Sequence, residues 1–150
     1  MKIIRYYESE SREHWLEEIG KSGWKAGKHL HDLLADDAFR TLCGKGSDVL
    51  MLTEGDTLIS FCSLAEKDDI QPVELTPWIG FAYTFPQFRG HHYLGKLLEE
   101  ADRIARASGI SAVYISTDHT SLYEAYGCEY LCEMTDIHGN PSRVYMRRIR

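Results

Sequence analysis

One short segment combines a basic side chain, two glycines and the start of a helical pattern. Its sequence is Arg89-Gly90-His91-His92-Tyr93-Leu94-Gly95, with a strand pattern before it and an amphipathic helix pattern after it. The first N–H groups of a helix have no partner within the helix, so a turn that opens a helix offers donors to an anion. The Arg89 guanidinium adds a planar fork of donors suited to phosphate. The segment therefore predicts a site for a phosphorylated ligand.

The composition limits the classes of protein that this chain can belong to. Its 150 residues, 43% hydrophobic and 27% charged, are typical of one soluble globular domain spanning residues 1–150. No segment approaches the ~20 apolar residues of a membrane span, and no signal peptide is recognisable, so we expect a cytoplasmic protein without a membrane partner. The net charge of −6 argues against nucleic acid as a partner.

Two acidic clusters and four cysteines are the remaining side chains that could take part in binding or catalysis. The acidic clusters are Asp36-Asp37 and the set Glu66, Asp68 and Asp69. We interpret them first as solvated turns, and alternatively as the lining of a site for a cationic substrate. The cysteines are Cys43, Cys62, Cys128 and Cys132. Because they lack zinc-type spacing, we expect reduced thiols and no metal.

Hydrophobic periodicity divides the chain into helices and strands. Helical spacing predicts helices over 10–19, 25–42, 92–108 and, in a shorter form, 121–126, with Ser9 capping the first. Strand patterns occupy 2–7, 49–53, 57–65, 77–85, 110–116, 129–134 and 143–149, and a polar loop spans 66–75. The resulting order, β-α-α-β-β-β-α-β-α-β-β, predicts a single α/β (or α+β) domain with a mixed sheet flanked by helices.

Two segments together resemble the GCN5-related N-acetyltransferase (GNAT) superfamily. The turn at 89–95 is similar to the family's acetyl-CoA turn, Arg/Gln-x-x-Gly-x-Gly/Ala. The later segment Ser121-Leu122-Tyr123-Glu124-Ala125-Tyr126-Gly127-Cys128 is similar to its Leu-Tyr-Glu-x-x-Gly-Phe signature. The element order also resembles that fold. The resemblance implies a GNAT-like domain over residues 1–150, with acetyl-CoA as cosubstrate and no metal.

The first of these matches departs from the family pattern. His92 and Leu94 stand where the family has small residues, and the glycines of this chain are Gly90 and Gly95 instead. A non-glycine residue in ordinary helical φ/ψ still presents its N–H, so we expect a working cradle with less room beside the phosphate. His91 or His92 either donates to the pyrophosphate or serves as an exposed or cap-packing residue, and the sequence leaves both interpretations open.

The resemblance also implies roles for individual residues. The implied cofactor-binding residues are Ala82, Tyr83, Thr84, Arg89, Gly90, His91, His92, Tyr93, Leu94 and Gly95. The backbone of the first three corresponds to the strand that lies alongside the pantetheine arm. Tyr123 matches the family tyrosine that protonates the departing thiolate, and a plain core tyrosine is the alternative.

The sequence does not fix the general base. Asp118 and His119 follow the strand at 110–116 and precede Tyr123, so we expect them near the cleft, and imidazole is a base of suitable strength near neutral pH. Glu74, Asp69 and a water chain are the other options.

The leading hypothesis is an N-acetyltransferase that moves an acetyl group from acetyl-CoA to a primary amine of a small molecule or peptide, by direct attack on the thioester. The alternative is a non-catalytic GNAT-like domain that binds CoA as a sensor or interaction module. A third hypothesis is nucleotide binding, but the chain lacks both the Gly-x-x-x-x-Gly-Lys-Ser/Thr and the Gly-x-Gly-x-x-Gly patterns.

Trp24 and Trp78 are predicted as core residues rather than acceptor-pocket residues. A homodimer through the C-terminal strands is an option that the sequence leaves open.

Overall fold

Seven strands and four α-helices make up the part of the chain that the computed structural model describes, residues 1–70 and 74–149. The strands are β1 Lys2–Arg5, β2 Asp48–Glu54, β3 Thr57–Ala65, β4 Trp78–Thr84, β5 Ala112–Thr117, β6 Glu129–Thr135 and β7 Pro141–Arg148. The helices are α1 Arg12–Gly20, α2 Lys25–Ala35, α3 Phe39–Cys43 and α4 Tyr93–Ala107. Short 3-10 turns lie at Tyr6–Glu8, Pro86–Phe88 and Glu124–Tyr126.

The strands form one mixed sheet of order β1-β2-β3-β4-β5-β7-β6. Neighbours within β1 to β4 are antiparallel, and so are the β5–β7 and β7–β6 pairs. Within the described ranges, β4 and β5 are the one parallel pair, and α4 connects them. The predicted fold class, a mixed sheet flanked by helices, is confirmed.

Each face of the sheet has its own apolar core. On one face, α4 buries Leu94, Leu97, Leu98, Ala101 and Ala105. On the other face, α1 to α3 bury Trp15, Ile19, Leu30, Leu34 and Phe39. Because a buried large apolar side chain contributes about 1.5–3 kcal/mol, these two layers hold the central strands firmly from both sides.

The single helix predicted over 25–42 is wrong, because the chain forms two helices there. α2 ends at Ala35 and α3 begins at Phe39. Asp37 between them adopts a φ of 54°, a left-handed conformation that a right-handed helix cannot continue through. Asp36 and Asp37 are both exposed, in agreement with a solvated turn.

Two further predictions, for a helix cap and for the helix over 121–126, differ from the structure. Ser11 rather than Ser9 is the N-cap of α1, and the Ser9 Oγ accepts the Ser11 N–H at 3.0 Å. The helix predicted over 121–126 is the single 3-10 turn Glu124–Tyr126, which ends at Gly127. Residues 71–73 of the predicted loop 66–75 lie outside the described residues.

The structure also bears on the cysteines and on membrane crossing. The four cysteines are free thiols, as predicted, and all except Cys132 are buried. None of the helices in residues 1–70 and 74–149 has the length and apolar composition needed to cross a membrane.

Candidate active site

The central parallel strands pair only briefly and then separate. The register of β4 and β5 pairs Trp78 with Tyr114 and Ile79 with Ile115, whereas β4 stays paired with β3 as far as Thr84. Beyond Ile79, the edge of β4 that faces β5 is therefore open in the described structure. Backbone N–H and C=O groups on such an edge need partners, and an extended ligand can supply them.

A β-bulge lies in β4 at the point where the strands part. Tyr83 pairs with Phe61 and Gly80 with Ser63, so Phe81 and Ala82 together oppose a single β3 residue. Phe81 adopts a φ of 48°, which is rare for a bulky residue outside functional or strained positions. The bulge turns the β4 backbone relative to the ladder, as bulges beside active sites commonly do.

The separated strands enclose a cavity of about 640 Å³. Its walls are formed by Trp24 and by residues 79–84, 88–90, 92–94, 115–119, 122, 123 and 126. The cavity thus unites the bulged end of β4, the start of α4, the end of β5 and the segment after β5. Most of the candidate residues from the sequence line this one space.

The turn that opens α4 has an unusual backbone. His92 is the N-cap of α4 and adopts a φ of 58°, so the expectation that it takes ordinary helical φ/ψ is wrong. Left-handed backbone is the conformation in which glycine is favoured, and His92 adopts it despite its side chain. Tyr93 and Leu94 follow as the first helical residues, whose N–H groups have no partner within the helix.

Leu94 narrows the cavity less than we expected for a side chain of its size. Its side chain is 9% exposed and belongs to the core that α4 packs against the sheet. The imidazole of His92 is exposed and meets the Tyr126 ring edge-on, with 6.2 Å between ring centroids.

Two of the predicted cofactor-binding residues do not line the cavity. His91 is exposed and stacks on Tyr93, with 5.2 Å between ring centroids. Gly95 donates its N–H to the His92 carbonyl at 3.0 Å. A Cβ at Gly95 would lie 3.1 Å from Tyr126, so this glycine allows close packing of that ring.

Arg89 is fixed beside the end of β4. Its Nε donates to the Thr84 carbonyl at 2.9 Å, and its guanidinium carbon lies 5.3 Å from the centroid of the Tyr83 ring. The Tyr83 carbonyl accepts a hydrogen bond from the Ser60 Oγ at 2.8 Å. Gly90 follows with a φ of 90°, a conformation that glycine tolerates. These contacts orient an exposed cation at the mouth of the cavity.

Tyr123 lines the cavity and is otherwise buried, with 5% of its surface exposed. Burial raises the pKa of its phenol, and the nearby Cys62 and Cys128 thiols contribute to the rise. The phenol therefore stays protonated near neutral pH and is able to donate a hydrogen bond or proton. Cys128, which stands where the family has Phe, packs in the same core.

The candidate bases from the sequence occupy different positions. Asp118 and His119 both line the cavity and are exposed, and the His119 N–H donates to the Thr117 Oγ1 at 3.1 Å. Glu74 is exposed and Asp69 is half-buried, and neither lines the cavity.

The two tryptophans have different surroundings. Trp78 is 1% exposed and its indole N–H donates to the Leu75 carbonyl at 2.7 Å, as expected of a core residue. Trp24 packs against the core of α1 to α3 but is only half-buried, because it also lines the cavity and stacks on Tyr83 at 5.2 Å between centroids.

Sequence reasoning gave no role to Gly80. This residue lines the cavity, and a Cβ at this position would lie 2.7 Å from the Asp68 Oδ1. Asp68 and Asp69 are half-buried, so the interpretation of this cluster as a solvated turn is wrong for both. The one signal in the sequence is the adjacent pair of acids in a polar loop.

Comparison with known proteins gives the same family as the motifs. Residues 8–128 match the model of the Acetyltransferase (GNAT) family, and the chain belongs to this family. None of the curated proteins matches the chain at a significant level.

Solved structures extend the similarity over the whole chain. They include an aminoglycoside 6'-N-acetyltransferase complexed with coenzyme A, with 12% identity, a TM-score of 0.73 and coverage of 100% of this chain and 98% of that chain. The aminoglycoside 6'-N-acetyltransferase from Enterococcus faecium has 11% identity, a TM-score of 0.70 and the same coverages, 100% and 98%. The Salmonella typhimurium acetyl transferase that modifies the N-terminal serine of ribosomal protein L7/L12 has 12% identity, a TM-score of 0.67 and coverages of 99% and 94%. At these identities the similarity concerns the fold.

Proposed function

We propose that this protein transfers an acetyl group from acetyl-CoA to a primary amine by direct attack on the thioester. The observation that carries the proposal is the separation of β4 from β5 beyond Ile79, which opens a cavity between a free strand edge and the N-terminus of α4. Membership of the GNAT family and the coenzyme A complex of a protein with the same fold support this assignment.

The residues around the cavity suit the parts of acetyl-CoA. The N–H groups of Tyr93 and Leu94, with the Arg89 guanidinium, form an anion site for the pyrophosphate. The open edge of β4 around Ala82 offers backbone groups to the amides of the pantetheine arm. Bound in this way, acetyl-CoA supplies an activated acetyl group. The protein contributes positioning, which accounts for a large part of the barrier reduction in transfer reactions.

Two groups of the chain serve the chemical step. A backbone N–H near the bulge, at Tyr83 or Thr84, polarises the thioester carbonyl. The Tyr123 phenol, kept protonated by burial, donates a proton to the departing sulfur. Both groups act where negative charge develops.

The acceptor is proposed to be the primary amine of a small molecule. Trp24 and Tyr83 form a stacked aromatic pair beside the cavity, suited to the body of a compact polar ligand. Two of the structures with the same fold are aminoglycoside acetyltransferases, which favours a small molecule over a peptide.

Release of free thiol from acetyl-CoA, measured across aminoglycosides, polyamines and short peptides, tests the proposal. The wild type is expected to release thiol with at least one amine. Tyr123→Phe is expected to lower kcat about 100-fold or more, because it removes the proton donor, while the affinity for CoA stays unchanged.

Tyr126→Phe is the matched control, because Tyr126 lines the same cavity and also loses only a hydroxyl. It is expected to retain most of the activity. CoA binding without thiol release from any amine would favour the non-catalytic alternative, and equal activity of the two variants would contradict the role of Tyr123.

A further inference from the structure

The turn that carries Tyr123 is closed by hydrogen bonds to the Tyr123 carbonyl. The N–H groups of Tyr126 and Cys128 donate to this carbonyl at 3.1 and 3.0 Å. Gly127 between them has a φ of 84°, which allows the chain to fold back on the turn. The backbone of Tyr123 is therefore fixed relative to that of Tyr126. A contact that holds Tyr126 in place also determines where the Tyr123 side chain enters the cavity.

Arg147 of β7 holds this turn without lining the cavity. Its Nη1 donates to the Tyr126 carbonyl at 2.5 Å. The last carbonyls of a helical turn have no partner within the turn, so an arginine at this end satisfies a group that the turn leaves unpaired. Arg147 also interacts with the Cys128 thiol. The guanidinium thus contacts both residues whose N–H groups close the turn on Tyr123.

Asp102 of α4 fixes the Arg147 guanidinium. The Nε and Nη2 of Arg147 donate to the two carboxylate oxygens of Asp102 at 2.8 Å each, which makes the pair bidentate. The side chains of Arg147 and Asp102 are only 14% and 17% exposed. One guanidinium therefore connects three elements, which are β7, α4 and the turn that carries Tyr123. Of these, α4 is the helix whose N-terminus forms the proposed pyrophosphate site.

Stability alone is a weak explanation for this ion pair. Apolar residues of similar volume often serve a fold as well as a largely buried ion pair does. What the pair supplies is direction, because the planar fork of an arginine fits only certain arrangements of its acceptors. Here that arrangement places the Tyr123 turn at a fixed position along α4. The pyrophosphate and the sulfur belong to one cofactor molecule, so the separation between the anion site and the proton donor has to match the length of that molecule.

We propose that Arg147, held by Asp102, is a positioning residue that places the Tyr123 phenol at the distance from the N-terminus of α4 at which it meets the sulfur of bound CoA. This inference rests on the proposed function, since it concerns the proton donor of the same reaction. In this role Arg147 touches neither the cofactor nor the acceptor, and it acts through Tyr126 and Cys128. A misplacement of about 1 Å can cost about 100-fold in rate, so a smaller shift of the turn lowers kcat while CoA still binds.

The double variant Asp102→Leu/Arg147→Met tests the proposal directly. It replaces the ion pair by apolar side chains, so we expect the fold to be retained while the Tyr126 carbonyl loses its donor. The kcat for thiol release is expected to fall about tenfold, with a Kd for CoA that stays within about twofold of the wild-type value. Glu129→Leu/Arg148→Met is the matched control, because it removes an exposed ion pair that involves the next residue of β7 and lines no part of the cavity. The control is expected to keep the wild-type kcat and Kd.

Combination with Tyr123→Phe distinguishes a positioning role from a general loss of structure. If Arg147 acts through the Tyr123 phenol, its removal has no further effect once the hydroxyl is absent. The triple variant Asp102→Leu/Arg147→Met/Tyr123→Phe is therefore expected to match the kcat of Tyr123→Phe within about twofold. A further decrease of about tenfold in the triple variant, or a wild-type kcat in the double variant, would overturn the positioning role and leave the proposed acetyl transfer intact.

Arg147→Lys provides a second test that does not depend on tolerance of the double replacement. Lysine keeps the positive charge beside Asp102 but lacks the rigid fork that reaches Asp102 and the Tyr126 carbonyl together. Its kcat is expected to be about fivefold lower, with an unchanged Kd for CoA and no further decrease when it is combined with Tyr123→Phe. A wild-type kcat in Arg147→Lys, or a Kd for CoA that rises together with the loss of kcat, would also overturn the positioning role. A wild type that releases no thiol with any amine would overturn both this inference and the proposed function.

Discussion

The turn at the mouth of the cavity and the loop contact behind β4 are built in different ways. At the mouth, the turn from Arg89 to Leu94 is contiguous in sequence, and its proposed anion site consists of backbone N–H groups and one exposed cation. Behind β4 and outside the cavity lining, the half-buried Asp68 comes from the loop before β4, and its carboxylate lies beside Gly80. A backbone site of this kind tolerates side-chain replacement, so the turn keeps its geometry with His92 in a position where glycine is favoured. The loop contact depends on one side chain and on the glycine that makes room for it.

Of the substitutions in the turn, removal of the Arg89 cation is expected to have the larger effect, and this effect is on the affinity for CoA. Arg89→Ala is expected to raise the Kd for CoA about tenfold or more, because a charge-assisted hydrogen bond contributes about 1.5–3 kcal/mol. Calorimetric titration at constant ionic strength measures the change.

Lys96→Ala is the matched control, because Lys96 is an exposed cation on α4 that does not line the cavity. Equal affinity in the two variants would mean that the mouth contributes only general electrostatic attraction.

The backbone character of the turn predicts a smaller effect on stability. His92→Gly is expected to increase the free energy of unfolding by about 0.5 kcal/mol. The relief of left-handed strain, about 1–2 kcal/mol, is offset by about 0.5–1 kcal/mol of extra chain entropy in the unfolded state. Urea denaturation measures the difference.

His91→Gly serves as the control, because His91 does not adopt a positive φ, and it is expected to be neutral or destabilising. A loss of stability in His92→Gly that equals the loss in His91→Gly would show that the turn carries no strain at residue 92.

The same contrast explains what the sequence could reveal. Arg89 and His92 belong to one short sequence motif, and Tyr123 belongs to a second. These two motifs could therefore predict the elements that meet at the cavity. The left-handed backbone of His92 was not predicted, because a histidine carries no signal for a conformation that the surrounding structure imposes. Asp68 was assigned to a solvated turn, because its burial depends on the absence of a side chain at Gly80. Such a relation between a loop and a strand is a property of the tertiary structure.

Calorimetric titration of the wild type with acetyl-CoA and with CoA tests whether the cavity between β4 and β5 holds the cofactor. Both ligands are expected to bind at one site per chain and to compete with each other, and Arg89→Ala is expected to weaken the binding of both. No detectable binding of either ligand at high micromolar concentration would contradict this prediction.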